Sequence, residues 1–196
     1  MVHIVGAGSG APDLITLRGA ELLRKAQVVI YAGSLVNPSL LGLCGPDCRL
    51  YNSAHLTLEE VLEVIRQATE QNQDVVRLHT GDPCLFGAIR EQTDALDALG
   101  IGWDVTPGVS SFCGAAAALG AEYTLPGVSQ SLIITRLAGR TPVPEREQLA
   151  AMASHGASMA IFLSSGMLPE VARQLLAGGA SVSTWTLVDV TAGTAL

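Results

Sequence analysis

Asp82 is the carboxylate best placed to do chemistry in this chain. It sits in Thr80-Gly81-Asp82-Pro83, directly after the apolar run Val75, Val76 and Leu78. Glycine admits backbone angles that other residues avoid, and proline fixes φ and removes a donor. A carboxylate in such a loop, at the carboxyl end of a buried strand, stands where open α/β sheets bind ligands. The same residue could instead cap backbone N–H groups in a tight strand-to-helix turn, and the loop alone does not separate the two readings. His79 precedes the loop, and a lone strand histidine is more often hydrogen-bonded packing than a catalyst. Arg136 and Arg140 flank Leu137-Ala138-Gly139. Loop arginines usually face solvent, but two planar forks with a glycine between them could grip carboxylates in bidentate fashion. Neither a Ser-His-Asp order nor an H-E-x-x-H pattern is present, so a hydrolase lacks its carrier.

Gly6-x-Gly8-x-x-Ala11 follows an apolar run and matches the dinucleotide fingerprint in its G/A form. That motif needs a helix starting on the glycines, and Pro12-Asp13 delays it. It also needs an acid at the end of the second strand, where Ala32-Gly33-Ser34 stands. A Rossmann-type NAD(P) dehydrogenase is therefore the weaker alternative. Four expected strand ends carry small or polar groups: Gly6-Ala7-Gly8, Ala32-Gly33-Ser34, Thr80-Gly81-Asp82-Pro83 and Pro107-Gly108-Val109-Ser110-Ser111. In a parallel sheet they lie along one edge, where bare backbone can approach a ligand. Cys44 and Cys48 have no second close pair and no neighbouring histidine, so the zinc signature is incomplete and no metal is expected. The four cysteines read as reduced, partly buried thiols.

The elements that must position these groups alternate. Strands are expected at His3–Val5, Val28–Tyr31, Arg49–Tyr51, Val75–Leu78 and Trp103–Thr106. Between them come helices carrying Leu14, Leu17, Ala20, Leu22, Leu23 and Ala26 on one face, then Val61, Leu62, Val64 and Ile65, then a helix ending near Leu99. Thr57 and Glu60 form a capping box at the start of the second helix. A small-residue helix surrounds Gly114–Ala118. Such β-α alternation implies an α/β fold with a mainly parallel sheet and helices on both faces. Pro126-Gly127 marks a linker, giving an N-terminal domain over 1–122, a linker over 123–128 and a second α/β domain over 129–196. That second unit reads as strand Ser131–Thr135, helix Glu145–His155, strand Met159–Leu163, helix Leu168–Ala177 and strand Trp185–Val190.

Composition bounds the rest. With 196 residues, 48% apolar and 15% charged, the chain can bury a core without staples. A net charge of −7 argues against nucleic acid and anionic membranes as partners. No run of 18 apolar residues appears, and no basic segment leads into an apolar one at the start, so a cytoplasmic address is expected.

Five segments taken in order resemble one family. G-A-G-S-G-A-P-D-L-I-T near the start, Y-A-G-S-L-V at 31–36, H-T-G-D-P-C-L-F-G at 79–87, P-G-V-S-S at 107–111 and S-L-I-I-T-R-L-A-G-R-T-P-V-P at 131–144 are similar to the tetrapyrrole (corrin/porphyrin) methyltransferases. Y-A-G-S-L-V with Q-S-L-I-I-T-R and G-R-T-P-V-P resembles the precorrin-4 C11-methyltransferases of cobalamin biosynthesis, closer to the cobalt-precorrin-4 branch. The resemblance implies a two-domain tetrapyrrole methylase fold, S-adenosyl-L-methionine as cofactor, a tetrapyrrole as substrate and a homodimer. It places the cofactor on Gly81, Asp82, Pro83, Leu85, Ser110, Ser111 and Leu163. It places the substrate along Gly6, Gly8, Ser9, Gly10 and Ser34, with Arg136 and Arg140 on its acetate and propionate groups. Uroporphyrinogen-methylating relatives carry an Asp after the tyrosine of the second strand; Ala32-Gly33 stands there, so no catalytic base is assigned. Family members also continue for several dozen residues past Leu196. The resemblance thus implies an incomplete second domain, and with it either a truncated enzyme or a non-catalytic tetrapyrrole-binding remnant.

Overall fold

The computed structural model describes residues 1–139 and 141–180. The chain forms two compact units, one over Met1–Ala115 and one starting at Ala116. The strand expected at Trp185–Val190 lies outside the described residues.

The first unit is built on five parallel strands: β1 (Val2–Gly6), β2 (Val28–Tyr31), β3 (Arg49–Asn52), β4 (Val75–His79) and β5 (Trp103–Thr106). They are ordered β3-β2-β4-β1-β5, with β4 and β1 in the middle. All five residues of β4 are buried, which requires both of its faces to be covered. On one face Val2, Ile4, Val28, Ile30 and Val75 pack against α2 (Leu58–Glu70) and α3 (Ile89–Ala98) through Val61, Ile65, Ala68 and Leu96. On the other, Val5, Val29, Val76 and Leu78 pack against Leu23 of α1 (Leu17–Lys25) and against Val36 and Leu40.

Connection handedness explains which helix covers which face. Steps from β1 to β2 and β2 to β3 run one way across the sheet; steps from β3 to β4 and β4 to β5 run back. Right-handed crossovers then put the two groups of connections on opposite faces. Because β4 and β1 are neighbours, the loop leaving each must cross the end of the other. The crossing is recorded as an antiparallel bridge between Gly8 and Gly81, with Gly8 N–H donating to Gly81 O at 3.2 Å and Gly81 N–H to Gly8 O at 3.0 Å.

The expected α1 face is corrected in part. Ala20 and Leu23 are buried, but Leu17 is 86% exposed and Leu14 belongs to a 3-10 turn at Pro12–Leu14. Pro12 starts that turn, and Thr16 caps a fresh helix through Gly19 N–H, so the two leucines never share the later face. The capping box at Thr57 and Glu60 is present in both directions. Of the cysteines only Cys44 and Cys48 are partly buried, with Cys44 pushed up to about 11 by burial; Cys84 and Cys113 are exposed.

α4 (Ser111–Leu119) leads out of the first unit. In the second, β6 (Leu132–Arg136) pairs in parallel with β7 (Ser158–Phe162), and α5 (Leu149–Ala153) packs on α6 (Leu168–Ala177). Leu137, Leu149, Ala153, Val171 and Leu175 form the core. The helix expected over Glu145–His155 is shorter: a 3-10 turn spans Glu145–Glu147, and Gln148 is extended at ψ 149° before α5 begins. That extended residue redirects the chain so that Leu149 is fully buried.

Candidate functional site

The carboxyl ends of β1, β4 and β5 form one interlocked edge. A Cβ on Gly6 would lie 2.6 Å from Gly108 Cα and from Gly81 O; one on Gly108 would lie 2.1 Å from Gly81 O and 2.8 Å from Gly6 Cα. Three chains meet backbone to backbone here, and only glycine fits at Gly6 and Gly108. Gly81 adds a φ of +59°. Ser110 and Ser111 follow at ordinary contact distance, 3.7 Å from where a Gly81 Cβ would stand.

Asp82 fastens this edge. Its Oδ1 accepts from Cys84 N–H at 2.8 Å and its Oδ2 from Gly108 N–H at 3.0 Å. Both oxygens therefore serve backbone donors, the capping role that one of the two sequence readings assigned. The loop beyond it is strained: Phe86 and Ala88 hold φ of 56° and 49°, in the left-handed region that non-glycine residues rarely adopt, and a Cβ on Gly87 would lie 2.2 Å from Pro83 O. Leu85 N–H donates to Asp82 O at 3.2 Å, and Pro83 is buried.

The glycine turn after β1 is tied down separately. Asn37 Nδ2 donates to Gly10 O at 2.8 Å. Ser9 is buried against Gly114 of α4, and its hydroxyl has no hydrogen-bond partner among the described residues. Ser34 is exposed in the 3-10 turn Gly33–Leu35, at the end of β2. Gly6, Gly8, Gly81, Asp82, Ser110 and Ser111 are thus gathered, whereas Ser34 lies at a strand that does not pair with β1. No helix begins on Gly6 or Gly8, since α1 starts at Leu17 and Gly8 is paired to Gly81. A dinucleotide cradle therefore has no helix N-terminus to use.

In the second unit, Leu163 follows β7 with φ +54° and is 70% exposed. Ser164 imposes that turn: its hydroxyl donates to Phe162 O at 2.7 Å and accepts from Leu137 N–H at 3.1 Å. Arg136 donates to the carbonyls of Leu137, Thr141 and Pro142 at 3.2–3.3 Å, ordering its own loop. Arg140 lies outside the described residues.

Several groups escaped the reading of the sequence. Asn37 was missed, and the role of Gly108 was hidden, because their partners lie 27 and 26 residues away. His79, expected as hydrogen-bonded packing, is buried, and its Nε2 has no partner among the described residues. Desolvation, with the Arg77 charge beside it, pushes it down to about 3, which leaves it neutral at ordinary pH. Among the described residues no group of three His, Cys, Asp or Glu side chains could hold a metal ion, and no helix is long and apolar enough to cross a membrane.

An interlocked glycine edge, a carboxylate that braces it and a strained loop thus stand together at the carboxyl ends of β1, β4 and β5. The sequence profile of the Tetrapyrrole (Corrin/Porphyrin) Methylases matches residues 1–192. The chain belongs to this family. Among the methylases it resembles is the cobalt-precorrin-4 C(11)-methyltransferase of Methanocaldococcus jannaschii, 51% identical over 178 residues, 91% of this chain and 69% of that protein. The crystal structure of a cobalt precorrin-4 methyltransferase superimposes with a TM-score of 0.89 at 43% identity, covering 92% of this chain and 75% of that one. A uroporphyrin-III C-methyltransferase from Thermus thermophilus, complexed with S-adenosylhomocysteine, gives 0.73 at 29% identity, covering 92% and 73%. This tetrapyrrole methylase thus spans about 70% of the length of the curated relative it matches.

Proposed function

We propose that this methylase transfers a methyl group from S-adenosylmethionine to C11 of precorrin-4 or its cobalt form. The observation that carries the reading is the Gly6–Gly81–Gly108 edge braced by Asp82, in a chain 51% identical to a cobalt-precorrin-4 C(11)-methyltransferase. Bound S-adenosylmethionine supplies an electrophilic methyl group, so the protein has to position rather than activate. The residues fit that demand. Bare backbone at Gly81, the Asp82-Pro83 turn with Leu85, and Ser110 and Ser111 offer close-approach surfaces and short polar groups to the cofactor. Leu163, held exposed by Ser164, adds an apolar contact. Residues Gly6, Gly8, Ser9 and Gly10, with Ser34, form the substrate side. Arg136 and Arg140 take its carboxylates; the carbonyls Arg136 now serves are neutral, and a carboxylate makes the stronger partner. Residues 123–128 act as the linker between the two domains, and the enzyme works as a cytoplasmic homodimer.

Calorimetric titration with S-adenosylhomocysteine tests the cofactor half. Saturable binding near one site per chain is expected, followed by label transfer from methyl-labelled S-adenosylmethionine to cobalt-precorrin-4. Absence of binding, by this chain and by a version extended at its C-terminus, would sink the reading.

A further inference from the structure

On the α2/α3 face of the first unit lies a cavity of about 200 Å³. Its lining includes Arg77, Gln92, Ser53, Thr57, Ala88 and Glu91. Arg77 projects from the central strand β4 and is only 8% exposed. A guanidinium carries five N–H donors. Arg77 Nε donates to Gln92 Oε1 at 3.0 Å and one Nη1 hydrogen to Ile30 O at 3.1 Å. Three donors are left without a partner among the described residues, and no carboxylate forms an ion pair with this group. Burial pushes Arg77 down to about 10, so it stays charged at neutral pH. A buried cation without a counter-charge is strongly disfavoured, so a structure that keeps one has reason to offer it an anion.

The N-terminus of α3 adds to the positive field, and Glu91 in its first turn opposes it in part. Ala88 is the N-cap of the ten-residue α3 and contributes no side-chain cap, so the helix opens into the cavity with first-turn N–H groups uncapped. Gln92 links the two features: its Oε1 holds Arg77, and its Nε2 donates to Ala88 O at 3.4 Å. Thr57 accepts from Glu60 N–H, and its hydroxyl hydrogen-bonds the Glu59 carboxylate, so it adds no free donor. Glu91 is the only acid on the lining, exposed at the rim and unpaired with Arg77. The volume is below that of pockets for drug-sized ligands, which start near roughly 300 Å³.

From this arrangement we infer a second binding site, for a small oxyanion, in which Arg77 and the open N-terminus of α3 hold a phosphate or carboxylate group. Arg77 offers the planar fork that suits either group, and the α3 amides supply the dipole end. The site does not rest on the methyl-transfer reading.

Thermal unfolding in rising inorganic phosphate, and separately in acetate, at ionic strength matched with chloride, tests it. A saturable upward shift in Tm is expected with at least one of the two. A response to phosphate alone identifies a phosphate group; a response to acetate identifies a carboxylate. The shift should vanish in Arg77→Met. Ala88→Asp supplies an internal carboxylate at a left-handed position that aspartate tolerates. It should raise Tm in anion-free buffer and blunt the response. Should Arg77→Met fail to fold, the Arg77 Nε resonance of the unaltered protein decides: saturable displacement by phosphate or acetate supports the site. No saturable effect of either anion on Tm or on that resonance, or an unchanged shift in folded Arg77→Met, overturns it.

Discussion

Asp82 and Gly108 are joined across 26 residues: the carboxylate Oδ2 accepts from the glycine N–H at 3.0 Å, while Oδ1 holds Cys84 N–H at 2.8 Å. One side chain thus fixes the exit of β4 against the exit of β5. Asp82→Asn keeps an acceptor for only one of these donors and turns an amide N–H toward the other. Leaving a part-buried donor unmade costs about 1–2 kcal/mol. Urea unfolding should show a loss of that size. If the edge is the cofactor platform, S-adenosylhomocysteine affinity should fall about tenfold, the equivalent of ~1.4 kcal/mol. Unchanged affinity in a folded variant would remove Asp82 from the site.

Close backbone approach at the same edge predicts a graded glycine series. Gly108→Ala sets a methyl 2.1 Å from Gly81 O, and Gly6→Ala sets one 2.6 Å from it. Neither neighbour is a flexible side-chain end, so each substitution should cost about 3 kcal/mol, the upper part of the range for overpacking. Gly42→Ala meets nothing within 4 Å and should leave stability unchanged or raise it by up to about 1 kcal/mol. Chemical denaturation of the three variants gives the ranking directly.

His79 sets an acid limit on the fold. Its folded value, near 3, lies below the ordinary 6.5 because burial and Arg77 both disfavour the charged ring. Between those values the unfolded chain binds a proton that the native chain does not. Stability therefore rises with pH across that window and is flat above it. Below about pH 6 the His79 contribution should fall by ~1.4 kcal/mol per pH unit. His79→Leu should flatten the profile between pH 4 and 6, measured by urea unfolding at each pH.

Local chemistry was legible in the chain, and long-range register was not. Thr57 and Glu60 stand three residues apart, so their reciprocal cap can be read from spacing alone. The small residues after β1, β4 and β5 marked strand ends, and α6 (Leu168–Ala177) has the expected limits. What the sequence lacks is the order β4-β1-β5, and Gly6, Gly81 and Gly108 meet only because of that order. Arg77 illustrates the same limit: the apolar run around it reads as a buried strand, but the partners of its guanidinium, Gln92 and Ile30 O, lie 15 and 47 residues away. Gln148 breaks a helix that the sequence would have run through, because burial of Leu149 outweighs local propensity.

Strain at Leu163 supports the last prediction. A leucine at φ +54° costs about 1–2 kcal/mol relative to a relaxed backbone, and its side chain is 70% exposed, so no burial offsets the strain. Ser164 holds the conformation through Phe162 O and Leu137 N–H. A glycine adopts the same angle freely. Leu163→Gly should therefore stabilise the ligand-free protein by about 1 kcal/mol while weakening S-adenosylhomocysteine several-fold, because the apolar contact is removed. Higher stability together with lower affinity would mean that the leucine is kept for its ligand. Higher stability with undiminished affinity would take Leu163 out of the cofactor site, and a loss of stability would show that the turn depends on the side chain itself.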